Sequence, residues 1–417
     1  MGKGIPMYIS SKQNLQEDTS TRPLLVASSY AVVKASTPGL DNNLGTTYFF
    51  QQAFNENNPR TDKLIWFSCL GTSGFWSEPS IVQELNPPPR DNSSIAAVQI
   101  PGEDQISLFY VAENGTLYDV IGAPADKSDY SSPWRWKRGS LAPFTGWEAR
   151  VSKNSGIAAT WTFDSKLVSV PDNELWRSRY VLRVYYVDSV TSTVRELSRV
   201  SEGISRVRWY LSHIGENCSP QAKITVAHLL PNSTNQGKET VHLFYESRNR
   251  SGIRHAPIYN HTWNPEYVTT IMPNSVLDSY FAATISSDEG NMITLFYLDA
   301  DTRLQQITGR GRSKNEYPDY DPLTEAQFSE PQLVEGFRLP SRYTTGDVGG
   351  GALAALWWLD ESRRQNVRIL YRPDPEVSPL EEETKEIWGF YKTKSFGDYF
   401  RWVGVKNISL NITRPTR

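Results

Sequence analysis

The sequence predicts an all-β fold: a six-bladed β-propeller with four antiparallel strands in each blade. Three observations predict it. A small-residue strand recurs six times, at Leu24–Ser29, Ser94–Gln99, Gly156–Trp161, Lys223–His228, Tyr280–Ile285 and Ala352–Trp357. Each is followed by an apolar strand ending in an aromatic, at Thr47–Phe50, Ser107–Tyr110, Arg183–Tyr186, His242–Tyr245, Thr294–Tyr297 and Arg368–Tyr371. Units then begin near residues 24, 94, 156, 223, 280 and 352 with no long linker between them. A recurrence at this period is the mark of a repeat architecture.

A third strand follows each phrase, at Lys63–Ser68, Thr116–Ile121, Val194–Arg199, Ile253–Tyr259, Arg303–Thr308 and Glu386–Lys392. A fourth closes each unit, near Trp76, at Trp134–Lys137, at Val207–Leu211, near Trp263, at Phe328–Val334 and at Phe400–Val405. Alanine pairs such as Ala96-Ala97, Ala158-Ala159, Ala282-Ala283 and Ala354-Ala355 suit the innermost strand, where blades crowd the axis. Helical periodicity is weak except over Glu381–Glu386. The whole chain, 1–417, reads as a single propeller domain. Common propeller blades need roughly 40–45 residues. The surplus falls in Val32–Gly45, Phe163–Arg179, Gly309–Gln327 and Arg372–Glu383, loops of the kind that carry function.

Composition excludes several classes. The net charge of −3 argues against a nucleic-acid partner, which selects a basic face. No run of 18 apolar residues exists, which excludes a membrane-spanning helix. Eight Asn-x-Ser/Thr sequons, at Asn92, Asn114, Asn217, Asn232, Asn249, Asn260, Asn407 and Asn411, lead to the expectation of a secreted or secretory-pathway N-glycoprotein whose leader is absent from this chain. Cys69 and Cys218 read as two unpaired thiols. No phosphate loop, HExxH, CxxC or GxSxG is present, so no cofactor and no metal is expected.

Candidate site residues come from comparing the repeats. Ile157-Ala-Ala-Thr-Trp161, then Arg183-Val-Tyr-Tyr186, then Val194-Arg-Glu196 resembles the repeat of fungal fucose-specific lectins, six-bladed propellers with sugar sites between blades. The resemblance implies that a site needs an Arg opening the second strand, a Glu on the third and an aromatic platform. Arg and Glu make charge-assisted bonds to hydroxyls, and a ring face covers sugar C–H groups. Counting back three from the strand-two aromatic, and using the third-strand motif, the slots read Thr47 and Trp66, Ser107 and Asp119, Arg183 and Glu196, His242 and His255, Thr294 and Gln306, Arg368 and Gly389. Only blade three keeps both partners. A charged hydrogen bond is worth about 1.5–3 kcal/mol, against about 4 kcal/mol in total for a millimolar site. Five slots are therefore expected to be dead for fucose.

Four of the five histidines fall in blade four: His228, His242, His255 and His261. Position four of the first strands makes a ring at one height, with Ser29, Gln99, Trp161, His228, Ile285 and Trp357, which suits an apolar pocket with a few polar groups. Trp358 adjoins it. The chain is also similar in character to fungal proteins that share this propeller but act in natural-product pathways, including the intermolecular hetero-Diels–Alderases of tropolonic sesquiterpenoid biosynthesis. That resemblance implies a cofactor-independent enzyme, with an apolar terpene alkene and a planar polyketide-type partner as substrates. It would assist dehydration to a quinone-methide-type diene, with His228, His242 or His255 as acid. Ser29, Gln99, Trp161, Trp357 and Trp358 would then hold the reactants for cycloaddition. The alternative is a secreted lectin with one surviving fucose-type site on Arg183 and Glu196.

Overall fold

The computed structural model describes residues 30–35, 46–54, 63–70, 80–91, 93–100, 105–126, 129–141, 149–163, 180–202, 206–229, 240–248, 252–259, 262–263, 265, 268–273, 281–286, 292–298, 304–310, 327–334, 353–359, 365–371, 384–392 and 399–408. These form six antiparallel sheets. The first holds β1 (Tyr30–Ala35), β2 (Thr46–Phe54), β3 (Lys63–Leu70) and β4 (Ser80–Ile81). The second holds β5 (Ile95–Gln99), β6 (Ile106–Val111), β7 (Leu117–Asp126) and β8 (Asp129–Arg138). The third holds β9 (Ile157–Phe163), β10 (Tyr180–Val187), β11 (Thr193–Glu202) and β12 (Arg206–Asn217). The fourth holds β13 (Ile224–Leu229), β14 (Thr240–Glu246), β15 (Gly252–Tyr259), β16 (Thr262–Trp263) and β17 (Thr269–Pro273). The fifth holds β18 (Phe281–Ser286), β19 (Met292–Leu298), β20 (Leu304–Arg310), β21 (Gln327–Phe328) and β22 (Gln332–Leu333). The sixth holds β23 (Leu353–Leu359), β24 (Gln365–Tyr371), β25 (Thr384–Lys392) and β26 (Tyr399–Ile408).

The first strands of successive sheets pack side by side, β1 on β5, β5 on β9, β9 on β13, β13 on β18, β18 on β23, and β23 back on β1. The ring therefore closes and the architecture is an all-β propeller. Alanines 96, 97, 158, 159, 282, 283, 354 and 355 line a narrow axial space of about 130 Å³, together with Ala31, Val32, Thr225 and Val226. Small side chains let six strands converge there, and larger ones fill the wedges between blades. One wedge joins Phe109, Val111 and Leu117 to Leu182, Tyr186 and Trp209. The next joins Tyr185, Val187 and Val194 to Val241, Leu243 and Ile258. Neighbours along one strand thus face opposite wedges, as the period of two requires.

Three expectations are corrected. Four strands per blade is not uniform, because the fourth strand of two sheets is broken in two. Both β16 and β17 pair with β15, and both β21 and β22 pair with β20. Pro265 and Pro331 sit in the breaks, and a proline cannot donate to a ladder. In the second break Ser329 substitutes for the missing rungs: its N–H donates to the Thr308 carbonyl (2.8 Å), and its Oγ accepts the Thr308 N–H (3.1 Å). The first strand of blade one is Tyr30–Ala35, whereas Leu24–Ser29 lies outside the described residues. The body of each of the four insertions also lies outside them. Glu381–Glu386 is not helical where described, since β25 begins at Thr384.

Candidate functional site

The second strands carry a common landmark, two large residues side by side: Phe49-Phe50, Phe109-Tyr110, Tyr185-Tyr186, Phe244-Tyr245, Phe296-Tyr297 and Leu370-Tyr371. Their first members pair across to the third strands at Ser68, Asp119, Glu196, His255, Gln306 and Glu386. Two residues before each landmark stand Thr47, Ser107, Arg183, His242, Thr294 and Arg368. A slot is this diagonal pair, within reach for long side chains. In four blades these register positions coincide with those that the repeat comparison gives, and in two they differ. In blade one the third-strand position is Ser68, not Trp66. In blade six it is Glu386, not Gly389.

In blade three, Arg183 and Glu196 form an ion pair through Nη1 and Oε1. Arg183 Nε also donates to Thr162 Oγ1 at 2.8 Å. Both residues are 5% exposed. They share strand parity with Tyr185 and Val194, which belong to the wedge toward blade four. Arg183 pairs across with Ser198, and Ser198 with Tyr210. Tyr210 is 43% exposed, so this row brings an accessible aromatic to the same face as the ion pair. The opposing row of blade four runs His228, Val241, Ile258, Trp263. Trp263 packs on the wedge core, and its indole N–H is buried with no hydrogen-bond acceptor among the described residues. Comparison of strand-two and strand-three types found Arg183 and Glu196. Tyr210 and Trp263 lie on fourth strands, where sequence offers no fixed count.

The equivalent slot of blade four is closed. His242 Nδ1 and His255 Nε2 are 2.9 Å apart, one neutral imidazole donating to the other. Each is 1% exposed. His255 lies against Phe244 and Phe328 at centroid distances of 4.9 and 5.0 Å. Burial drives His255 down to about 3. Burial first, then His255 and His228, hold His242 well below the usual imidazole value. Blade two is closed differently. The Asp119 carboxylate accepts the Leu141 N–H at 2.8 Å. A Cβ on Gly139 would stand 2.0 Å from its other oxygen, so only glycine fits. Ser140 Oγ in turn accepts the Trp209 indole N–H at 3.0 Å. Burial raises the Asp119 pKa.

The remaining candidates are scattered. His228 does not join the other two histidines; its ring meets Trp161 edge-on at 4.7 Å. Trp161 also contacts Tyr180 at 5.1 Å, so two neighbours of the expected ring do touch. Gln99 is buried in β5. Trp357 and Trp358 are backbone partners of Val367 and Asn366. Ser29 lies outside the described residues, and the landmark register puts Ala35 at its height, three positions beyond Val32 as Trp161 is beyond Ala158. Cys69 and Cys218 are not in a disulfide. Among the described residues, no three His, Cys, Asp or Glu side chains gather as metal ligands would. A cavity of about 610 Å³ contains none of the candidates; Arg90, Asp91, Glu113, Arg150 and Lys153 line it with both signs of charge.

No family model matches the chain. No curated protein matches it either. Solved structures do. AofleA from Arthrobotrys oligospora is 13% identical, with 93% of this chain and 87% of that chain covered and a TM-score of 0.60. A lectin from Aleuria aurantia, described as a six-bladed β-propeller with a novel fucose recognition mode, is 15% identical over 92% of this chain and 96% of its own, with a TM-score of 0.57. A mutant of the same lectin in complex with α-methyl-L-fucoside is 14% identical, with the same coverage and a TM-score of 0.57. At such identities the likeness is one of fold.

The hetero-Diels–Alderase expectation, and with it the expectation of an enzyme, is overturned. The propellers similar over most of the chain are described as lectins, not as pericyclases. Two of the three expected acids are also unsuited to the task. His242 and His255 are sealed and held neutral, whereas a general acid must hold a proton near the operating pH and reach its substrate. Their proximity in sequence gave them a shared blade but not a shared cleft with His228.

Proposed function

We propose that this chain is a fucose-type glycan-binding lectin, a six-bladed propeller over residues 1–417 that recognises sugar without a chemical step. The observation that carries this reading is the Arg183–Glu196 pair, held by Thr162, on the face that also carries Tyr210. A guanidinium has five donors and a carboxylate about four acceptor positions. A pair joined through one atom of each still matches a sugar's vicinal hydroxyls, and Tyr210 supplies an apolar face for its C–H groups. The likeness in fold to lectins described with fucosides supports the ligand class. A secretory route, with N-glycans, accords with the sequons, of which Asn114 and Asn217 are exposed.

The test is calorimetric titration of L-fucose and a fucosylated oligosaccharide. Saturable binding is expected, weakened about tenfold or more by Arg183→Ala, which removes a charged hydrogen bond. Tyr210→Ala, at an exposed position, weakens binding without touching the buried pair. Absence of saturable heat from the folded protein at high millimolar sugar overturns the proposal.

A further inference from the structure

We infer that the cavity of about 610 Å³ beside Asn114 is the seat of the protein's own N-glycan, and that the sugar attached there ties blade two to blade three. This rests on the secretory route proposed for the chain and not on the blade-three fucose site. One asparagine is both the acceptor of the sequon Asn114-Gly115-Thr116 and part of the cavity wall. Its side chain is exposed, and Oδ1 accepts the Thr116 N–H at 3.0 Å. That bond holds one end of the side-chain amide against its own turn. The other end is Nδ2, the atom that carries an N-glycan. Gly115 adds no side chain beside it, and a Cβ there would meet only the Val151 carbonyl oxygen, at 3.9 Å. The first sugar therefore starts at the wall of the cavity with an open approach to it.

The wall is preformed. The Gly115 N–H donates to the Ala112 carbonyl and the Val151 N–H to the Gly115 carbonyl, both at 2.8 Å. Arg90 Nη2 donates to the Ser152 carbonyl at 2.9 Å, and the Ser189 N–H to the Arg150 carbonyl at 3.0 Å. A ligand seated there orders little that is not already held.

The lining chemistry selects the class of ligand. Arg150 and Lys153 bring donors, Asp91 and Glu113 bring acceptors, and Ser189 brings both. An ionic ligand would call for one sign of charge. A neutral polyol, whose every hydroxyl both donates and accepts, matches the mixture. Val151 and the aliphatic stems of Arg150 and Lys153 give cover to sugar C–H groups. Glu113 and Asn114 belong to the β6–β7 turn of blade two. Arg150 and Lys153 precede β9, and Ser189 lies in the β10–β11 turn of blade three. A sugar bonded covalently to one blade thus reaches polar groups of the next. The tether makes that contact intramolecular, so a few exposed hydrogen bonds suffice to hold it.

The test is to secrete the protein from a host that attaches high-mannose glycans and to read occupancy of Asn114 by peptide mapping. An endoglycosidase that cuts within the glycan core should release the Asn114 glycan from the native wild type about tenfold more slowly than from an Arg150→Ala, Lys153→Ala double variant. One net hydrogen bond is worth about that factor. Lys153→Ala alone serves if the double variant does not fold. Asn114→Gln should lower the urea unfolding midpoint more in the secreted protein than in the same pair made without glycans in a bacterial host, which is the reference for loss of the Oδ1 bond. Equal release rates overturn the seat, and equal midpoint shifts overturn the tie between blades. An unmodified Asn114 in a chain glycosylated elsewhere overturns both. A secreted chain with no glycan at all overturns the secretory reading and this inference with it.

Discussion

Acidification should loosen the fourth blade, and the size of the effect follows from its buried imidazoles. In the unfolded chain a histidine titrates near 6.5. In the folded protein His255 stays neutral down to about 3, and His242 is held well below its usual value. The folded-state values are depressed, so the unfolded chain binds more protons. Stability is then fully present above about 6.5 and falls as pH drops from there toward about 3. Each such group removes about 1.4 kcal/mol per pH unit. At about pH 5, His255 alone costs about 2 kcal/mol, and the pair up to about 4 while both remain neutral. The assay is the urea unfolding midpoint at several values between about pH 7.5 and about pH 5, for the wild type and for a His242→Phe, His255→Phe double variant. Phenylalanine suits a pocket already walled by Phe244 and Phe328. The variant should lose about 2–4 kcal/mol less than the wild type over this range. Parallel curves would refute the assignment of neutral, buried imidazoles.

Two further outcomes test other parts of the structure. Secretion from a eukaryotic host should place an N-glycan on Asn114: the side chain is exposed, and its Oδ1 accepts the Thr116 N–H at 3.0 Å across a turn with Gly115 at φ +80°. Enzymatic deglycosylation with peptide mapping reads this directly, and an unmodified Asn114 peptide from the glycosylated protein overturns it. Gly156→Ala should destabilise the protein by about 1–3 kcal/mol, because the new Cβ would lie 2.5 Å from the Ile224 backbone nitrogen; an unchanged unfolding midpoint would contradict the tight approach of blades three and four there.

The propeller was legible because its signal is redundant. Alanine pairs mark the axis, paired aromatics mark the second strands, and a misjudged boundary in one blade is outvoted by the others. The first strand illustrates this: the phrase at 24–29 suggested one position and Tyr30–Ala35 occupies another, yet the fold is unaffected. The site lacks such redundancy. Arg183 and Glu196 were found because blade three sets its third strand at the expected offset. In blade six β25 starts at Thr384, two residues before the strand suggested by sequence. Glu386 thereby fell outside the slot and Gly389 fell into it. Tyr210 was missed for a different reason. It belongs to a fourth strand whose alignment with Arg183 passes through Ser198, and only the cross-strand register carries that information.

The enzyme expectation failed on a related point of geometry. Histidines that cluster in sequence were treated as a cluster in space. On a propeller, however, neighbouring residues of one strand face different wedges, and His228 pairs across with Val241, so His228 and His242 lie on opposite faces of their sheet. The slots of blades two and four, which lack the Arg and Glu of blade three, are filled in two distinct ways. Blade two fills its slot with backbone: the Gly139–Leu141 segment bonds Asp119, and Trp209 anchors Ser140. Blade four fills its slot with side chains: two imidazoles bond each other against two phenylalanines. Each gives a buried polar group of the slot one hydrogen bond, while Asp119 Oδ2 and His242 Nε2 stay buried with no partner among the described residues. Such filled slots contribute to the cohesion of the ring. In blade three neither replacement is present: Arg183 pairs with Glu196, and Tyr210 lies on the same face through Ser198.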